Sequence, residues 1–216
     1  MRMPPLSARI GGLAWLSLAM AACNAPPSGT SPRYGQRQAN FAPGGELTVR
    51  IPVGSLRVRA GTGSEIRLRW HIRRGHAWFW QRAGRLSRAS LDFQARGRYA
   101  EVLFNYPRGG QHGSIDAMLR VPRQTSLRVQ LGVGQISVGR LSGNEYLHTG
   151  VGAIHISLLH PLRYRVVRLH TGVGSISGSP WPVQQHIVEQ QVMTTSSAGP
   201  FRLEADTGVG GIQLQP

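Results

Sequence analysis

The stretch His148–Ser157 reads HTGVGAIHIS, and residues 170–179 nearly repeat it as HTGVGSISGS. Its centre, Gly-Val-Gly, occurs four times, at 132–134, 150–152, 172–174 and 208–210, each time followed two residues later by Ile136, Ile154, Ile176 or Ile212. A phosphate-binding loop carries its glycines once, between a strand and a long amphipathic helix whose N-terminus completes the anion site. Here strand-like alternation resumes directly after the glycines, and residues 127–216 show no helical period. Glycine permits positive φ and close backbone approach, which a tight bend inside stacked strands requires. The repeated loop turns a corner.

The alternation assigns faces. Leu127, Val129 and Leu131 alternate with Arg128 and Gln130, and the same alignment puts Leu147 and Thr149, Val167, Leu169 and Thr171, and Leu203, Ala205 and Thr207 on the inner side. Beyond each corner, Ile136, Ile154, Ile176 and Ile212 form one inner column; Val138, Ile156 and Leu214 form the next, with Gly178 as a gap. The Gly-Val-Gly units lie 18, 22 and 36 residues apart. This predicts a coil that returns to the same corner, with a degenerate coil or a loop inside the longest step. A weaker copy precedes it: Leu47, Val49 and Ile51 lead into PVGSLRV at 52–58, and further alternating runs follow at 66–70, 91–93, 102–104 and 115–121. The fold class expected is all-β, a β-solenoid-like stack of short strands with glycine-marked turns.

The run IDAMLRVP at 115–122, followed by SLRVQLGVGQISV at 126–138, resembles the bacterial putative-adhesin domains, described by apolar-x-Val-Pro, a short turn and recurring Gly-x-Ile-x-Val strands. The resemblance covers most of residues 44–216 and implies a β-solenoid-like body on secreted or membrane-anchored proteins. The chain departs from the family pattern in the valine after the first glycine and in its basic, aromatic stretch before Asp92.

The N-terminus reads as an export signal. Arg2 and Arg9 form a positive segment, residues 10–20 an apolar one, and Met-Ala-Ala-Cys closes it at 20–23. The placement of Cys23 resembles a lipobox, which implies cleavage before residue 23 and acylation of that cysteine, and Asn24 points to the outer membrane. Cys23 is the only cysteine, so no disulfide forms within the molecule and no thiol site exists in the body. Residues 23–43, rich in Pro, Ser, Gly and Gln, read as a flexible tether, and 44–216 as the folded body.

All 25 basic side chains are arginine, against nine acids. Removing residues 1–22 takes away two arginines and lowers the formal net charge from +16 to +14. Such a body is drawn to polyanions in a salt-dependent way. Nucleic acid is a poor partner for an exported lipoprotein; the partners expected are the membrane, through the N-terminal lipid, and anionic glycans or lipids. In RLRWHIRRGHAWFWQRAGRLSR at 67–88, aromatics are interleaved with arginines. Arg73, Arg74, Trp78, Trp80 and Arg82 are the candidate polyanion-binding residues, stacking on sugars or seated at lipid headgroups; the competing reading is an end cap for the stack.

The alignment of coils puts His148 and His170 at one outward position, on what would be adjacent rungs. They are either metal-ligand candidates or part of a solvated polar column. The three Asp and six Glu show no Glu-x-x-His or Asp-x-Asp spacing. The expectation is a non-enzymatic envelope protein for adhesion or scaffolding, without cofactor and with no catalytic residue. An anionic-glycan or anionic-lipid binding module is the alternative, and a polysaccharide-cleaving enzyme a distant one.

Overall fold

The computed structural model describes residues 33–73, 90–106, 113–185, 188–196 and 199–215. The strands are β1 (Tyr34–Asn40), β2 (Glu46–Gly61), β3 (Glu65–Arg73), β4 (Ser90–Arg96), β5 (Tyr99–Asn105), β6 (Ser114–Pro122), β7 (Ser126–Val138), β8 (Glu145–Ser157), β9 (Tyr164–Ser177), β10 (Gln184–Gln185), β11 (Gln190–Thr195) and β12 (Phe201–Gln215). A single 3-10 turn at Pro161–Arg163 is the one helical element among the described residues. The fold is all-β. The strands form one sheet in the order β1-β3-β6-β2-β7-β8-β12-β9-β11-β10, and β5 carries β4 and joins the first part of β2.

Five long strands, β2, β7, β8, β12 and β9, lie parallel and in register; four bend at a Gly-Val-Gly and β2 at Pro52-Val53-Gly54. Strand β8 shows how. An unbent strand that buries Leu147 and Thr149 would next bury Val151 and Ala153. Instead Val151 is 48% exposed and Ile154 is fully buried. The odd step from Thr149 to Ile154 exchanges the two faces, so both arms of the strand turn their apolar sides to the same core. The exchange happens at Gly152, whose φ of +143° is one that L-residues rarely adopt. A Cβ there would overlap the carbonyl oxygen of Gly134 on β7, as one at Gly174 would overlap that of Gly210. Gly54, Gly134, Gly152, Gly210 and Gly174 thus form a ladder across all five strands.

The inner columns are those the alternation assigns. Leu56, Ile136, Ile154, Ile212 and Ile176 make one, and Val58, Val138, Ile156 and Leu214 the next. At the corner, Ile51, Leu131, Thr149, Thr207 and Thr171 form a buried row. On the outside, Val53, Val133, Val151, Val209 and Val173 stand side by side, the last four about half exposed.

Two expectations are corrected. The stack does not add rungs in chain order, because β12 enters between β8 and β9. The longest step between Gly-Val-Gly units holds β11, antiparallel along the free side of β9, and β10, antiparallel to β11; the chain then returns to the gap. The folded body also starts before residue 44. Residues 34–40, part of the stretch read as tether, form edge strand β1 on β3. An edge strand needs backbone partners more than apolar side chains, so its polar composition hides it. Gly35 lets it lie against the Trp70 ring, which a Cβ would overlap. Residues 1–22 and Cys23 lie outside the described residues.

Gly152→Val and Gly174→Val should each lower the thermal midpoint by at least about 3 °C, since the backbone strain alone costs about 1 kcal/mol or more and a carbonyl must also move. A valine variant that melts with the parent protein would show that the ladder is not a close-packed bend.

Candidate functional site

The outer surface, not the core, carries the chemistry. On the arms beyond the corner, β2, β6 and β3 present arginines in direct register. Arg59, Arg120 and Arg67 occupy one row, continued by Gln38 on β1. Arg57, Met118 and Arg69 occupy the next, continued by Gln36, which accepts a hydrogen bond from Arg69 Nε at 3.1 Å. Inner residues Leu56, Val58, Ile66, Leu68 and Leu119 alternate with them and hold every arginine outward. A groove of about 400 Å³ crosses the second row, lined by Arg57, Arg69 and Met118 and edged by Ser55, Gln135 and Ser137. A larger, open groove of about 970 Å³ follows the opposite ends of the strands, beside Arg123, His160 and Arg163. There the Arg163 guanidinium already lies 5.2 Å from the Phe201 ring centre.

Of the polyanion-binding candidates, Arg74, Trp78, Trp80 and Arg82 lie outside the described residues. Arg73 closes β3, and its charge is already answered: Nε is 2.5 Å and Nη2 2.7 Å from the two oxygens of Asp116 on β6. Ser55 Oγ donates to the same carboxylate at 2.7 Å. Burial works to raise the Asp116 pKa, but the hydrogen bonds from Arg73 and Ser55 outweigh it and hold the carboxyl below its ordinary value. Sequence reasoning missed Arg57, Arg59 and Arg120. Their outward positions were legible from alternation, but their gathering depends on β6 lying between β2 and β3.

His148 and His170 are not on adjacent rungs, because β12 separates β8 from β9 and puts Asp206 between them. His148 Nδ1 donates to Asp206 Oδ1 at 2.7 Å and His170 Nδ1 to Oδ2 at 2.6 Å, while His170 Nε2 faces Glu189 Oε1 at 3.0 Å. Each ring is turned to a carboxylate rather than to a shared point. No group of three or more His, Cys, Asp and Glu among the described residues is placed to hold a metal ion. The hydrogen bond to Asp206 raises the His170 pKa against partial burial, with Glu189 adding to the effect.

One acid lies inside. Glu145 is fully buried at the start of β8, level with Leu127 and Leu203. Tyr164 Oη donates to its Oε1 over a long 3.5 Å, and Oε2 has no hydrogen-bond partner. Burial pushes this carboxyl up to about 8, against a small opposing effect of the tyrosine.

No family model matches the chain, and no curated protein matches it in sequence. Two solved structures align with it. One is a putative cell adhesion protein from Clostridium sporogenes ATCC 15579, 12% identical, covering 84% of this chain and 99% of its own, with a TM-score of 0.49. The other is a putative adhesin from Bacteroides fragilis NCTC 9343, 10% identical, covering 86% and 98%, with a TM-score of 0.26.

Glu145 and His170 make pH predictions. Glu145 is protonated in the folded protein and ionises in the unfolded chain from its ordinary 4.5 upward, so its contribution to stability should fall as pH rises from 4.5 to about 8 and then level off. Glu145→Gln should remove that slope, read as the difference in midpoint between variant and parent from about pH 4 to 9. His170 has the opposite charge type. Its raised pKa contributes stability fully below the ordinary 6.5 and loses it as pH rises through the raised value. Asp206→Asn should therefore lower the midpoint at about pH 6 and change it little at about pH 9. An equal loss at both pH values would mean that the aspartate acts only by packing.

Proposed function

We propose that this chain is a lipid-anchored cell-envelope protein, acylated at Cys23 and held at the outer membrane, whose non-enzymatic β body serves adhesion or scaffolding. The observation that carries the reading is the valine ridge along the corner. Val53, Val133, Val151, Val209 and Val173 are flanked on one side by Pro52, Gly132, Gly150, Gly208 and Gly172, and on the other by the glycine ladder. The result is a stripe of only Pro, Gly and Val, five strands wide, or about 19 Å from first to last strand. On so basic a chain, an uncharged, solvent-facing apolar stripe fits an apolar protein surface rather than a polyanion. Four of the five valines leave about half of their surface to solvent, which supports the ridge as a contact surface.

A second reading, binding of anionic envelope glycans or lipids, is favoured by a different observation: the arginine rows on β2, β6 and β3 face solvent.

The test expresses the full chain in a laboratory double-membraned bacterium. Cys23→Ser should move the protein out of the detergent phase, and Val151→Asp with Val209→Asp should abolish cell adherence while leaving the thermal midpoint within about 2 °C. Retention of Cys23→Ser in the detergent phase would overturn the anchor. Undiminished adherence of the valine variant would overturn the ridge as the contact surface.

A further inference from the structure

The arginine rows hold like charges side by side. Arg59, Arg120 and Arg67 are direct neighbours on three adjacent strands, an arrangement that destabilises a sheet unless something answers the charge. Glu65 answers Arg67 at one end of the row. Arg57, Arg59 and Arg120 have no acidic partner among the described residues, and Arg69 is held only by the neutral Gln36. The one acid that lines the groove, Asp116, is already committed to Arg73 and Ser55. The face therefore keeps four uncompensated guanidinium groups on three strands.

The groove decides what kind of anion. Arg57 and Arg69 stand on the two strands beside β6, two strand spacings or about 9.6 Å apart, with Met118 between them. Met118 is 39% exposed and forms an apolar floor, and Ser55, Gln135 and Ser137 put hydroxyl and amide groups along one side. An apolar floor for the C–H face of a sugar ring, a hydroxyl and amide rim for its hydroxyls, and fork-shaped cations at disaccharide spacing are the parts of an anionic-sugar site. A lipid surface asks for protruding apolar side chains among the cations; here the one apolar group of the row is flanked by longer arginines on both sides.

We infer that the groove over Met118 is a binding site for a linear anionic polysaccharide bearing carboxylate or sulfate groups, which lies across β2, β6 and β3 and is held by Arg57 and Arg69 in the groove and by Arg120 from the neighbouring row. The site rests on the second reading above and gives it a place and a ligand class. Arg59 and Arg67 extend the contact along the neighbouring row, so the polymer meets cations on both rows and its binding weakens with salt.

The test measures binding of the full mature chain in neutral detergent to polygalacturonate and to dextran sulfate at two salt concentrations, with neutral dextran and phosphatidylglycerol vesicles beside them. The parent protein should bind both anionic polymers and not dextran. Arg57→Gln, Arg69→Gln and Arg120→Gln together should weaken that binding at least about tenfold and flatten its salt dependence. Arg50→Gln, Arg96→Gln and Arg165→Gln, which remove the same charge from other exposed positions, should change it less than about twofold. Met118→Glu, with every arginine in place, should weaken binding by closing the floor to an anion. Equal loss in the two triple variants would overturn the groove in favour of net charge. Polymer binding that neither triple variant weakens would overturn the groove while leaving the second reading standing; no binding to any polyanion would overturn both. Vesicle binding lost in the groove variant, with polymer binding kept, would overturn it in favour of lipid.

Discussion

The close approach of a glycine Cα to the carbonyl of the neighbouring strand is the contact on which the rest of this structure depends. A straight 13-residue strand such as β7 would be about 43 Å long. The six residues from 139 to 144 that link it to β8 span roughly 24 Å at full extension. Parallel neighbours ordinarily need a crossover of a dozen residues or more. The bend at Gly134 and Gly152 removes the discrepancy by folding each strand back around the core, so that its end lies near its start. Any side chain at the ladder would push a carbonyl aside and open the bend, and the short links would no longer close.

The same bend sorts the outer surface. By exchanging the faces of each strand at one level, it places five valines outside and gathers Leu56, Ile136, Ile154, Ile176 and Ile212 inside. In-register parallel pairing then repeats each position across the stack, turning single residues into rows. A row of valines becomes a ridge and a row of threonines part of the buried lining of the corner, while the cationic strip joins β2 and β6 in parallel and is completed by the antiparallel β3. Where an acid falls in a row it is shared: Asp206 takes hydrogen bonds from two histidines, and Glu204 lies 3.4 Å from Arg202 and 3.9 Å from Arg168. With nine acids against 25 arginines, the acids cannot answer all of the guanidinium groups. Those on β2 and β6 are the ones the topology concentrates.

Glu145 marks where the inner face is least apolar. Its neighbours across the sheet are leucines, and its one hydrogen-bond donor is the hydroxyl of Tyr164, whose ring meets the Trp181 ring edge-on. Burial raises this carboxyl to about 8, so at neutral pH the position is mostly a polar, protonated core residue.

Period-two alternation was enough to determine the strand faces, the buried columns behind each corner and the glycine bend itself, because each of these is set by residues within a few positions of one another. The gap at Gly178 in the last column was legible in the same way. What alternation cannot carry is the identity of a strand's neighbour, which depends on how distant segments share one core. The insertion of β12 between β8 and β9 is such a case: Gly-Val-Gly in all three makes several orders equally compatible with the pattern, and the side-by-side packing of whole strands chose one. That choice put Asp206 between His148 and His170, so that both rings hydrogen-bond to one carboxylate. The pairing of β1 with β3, the Asp116 partner of Arg73 and the gathering of Arg57, Arg59, Arg67, Arg69 and Arg120 were likewise decided only by tertiary structure, since each joins residues whose local sequence is ordinary polar strand.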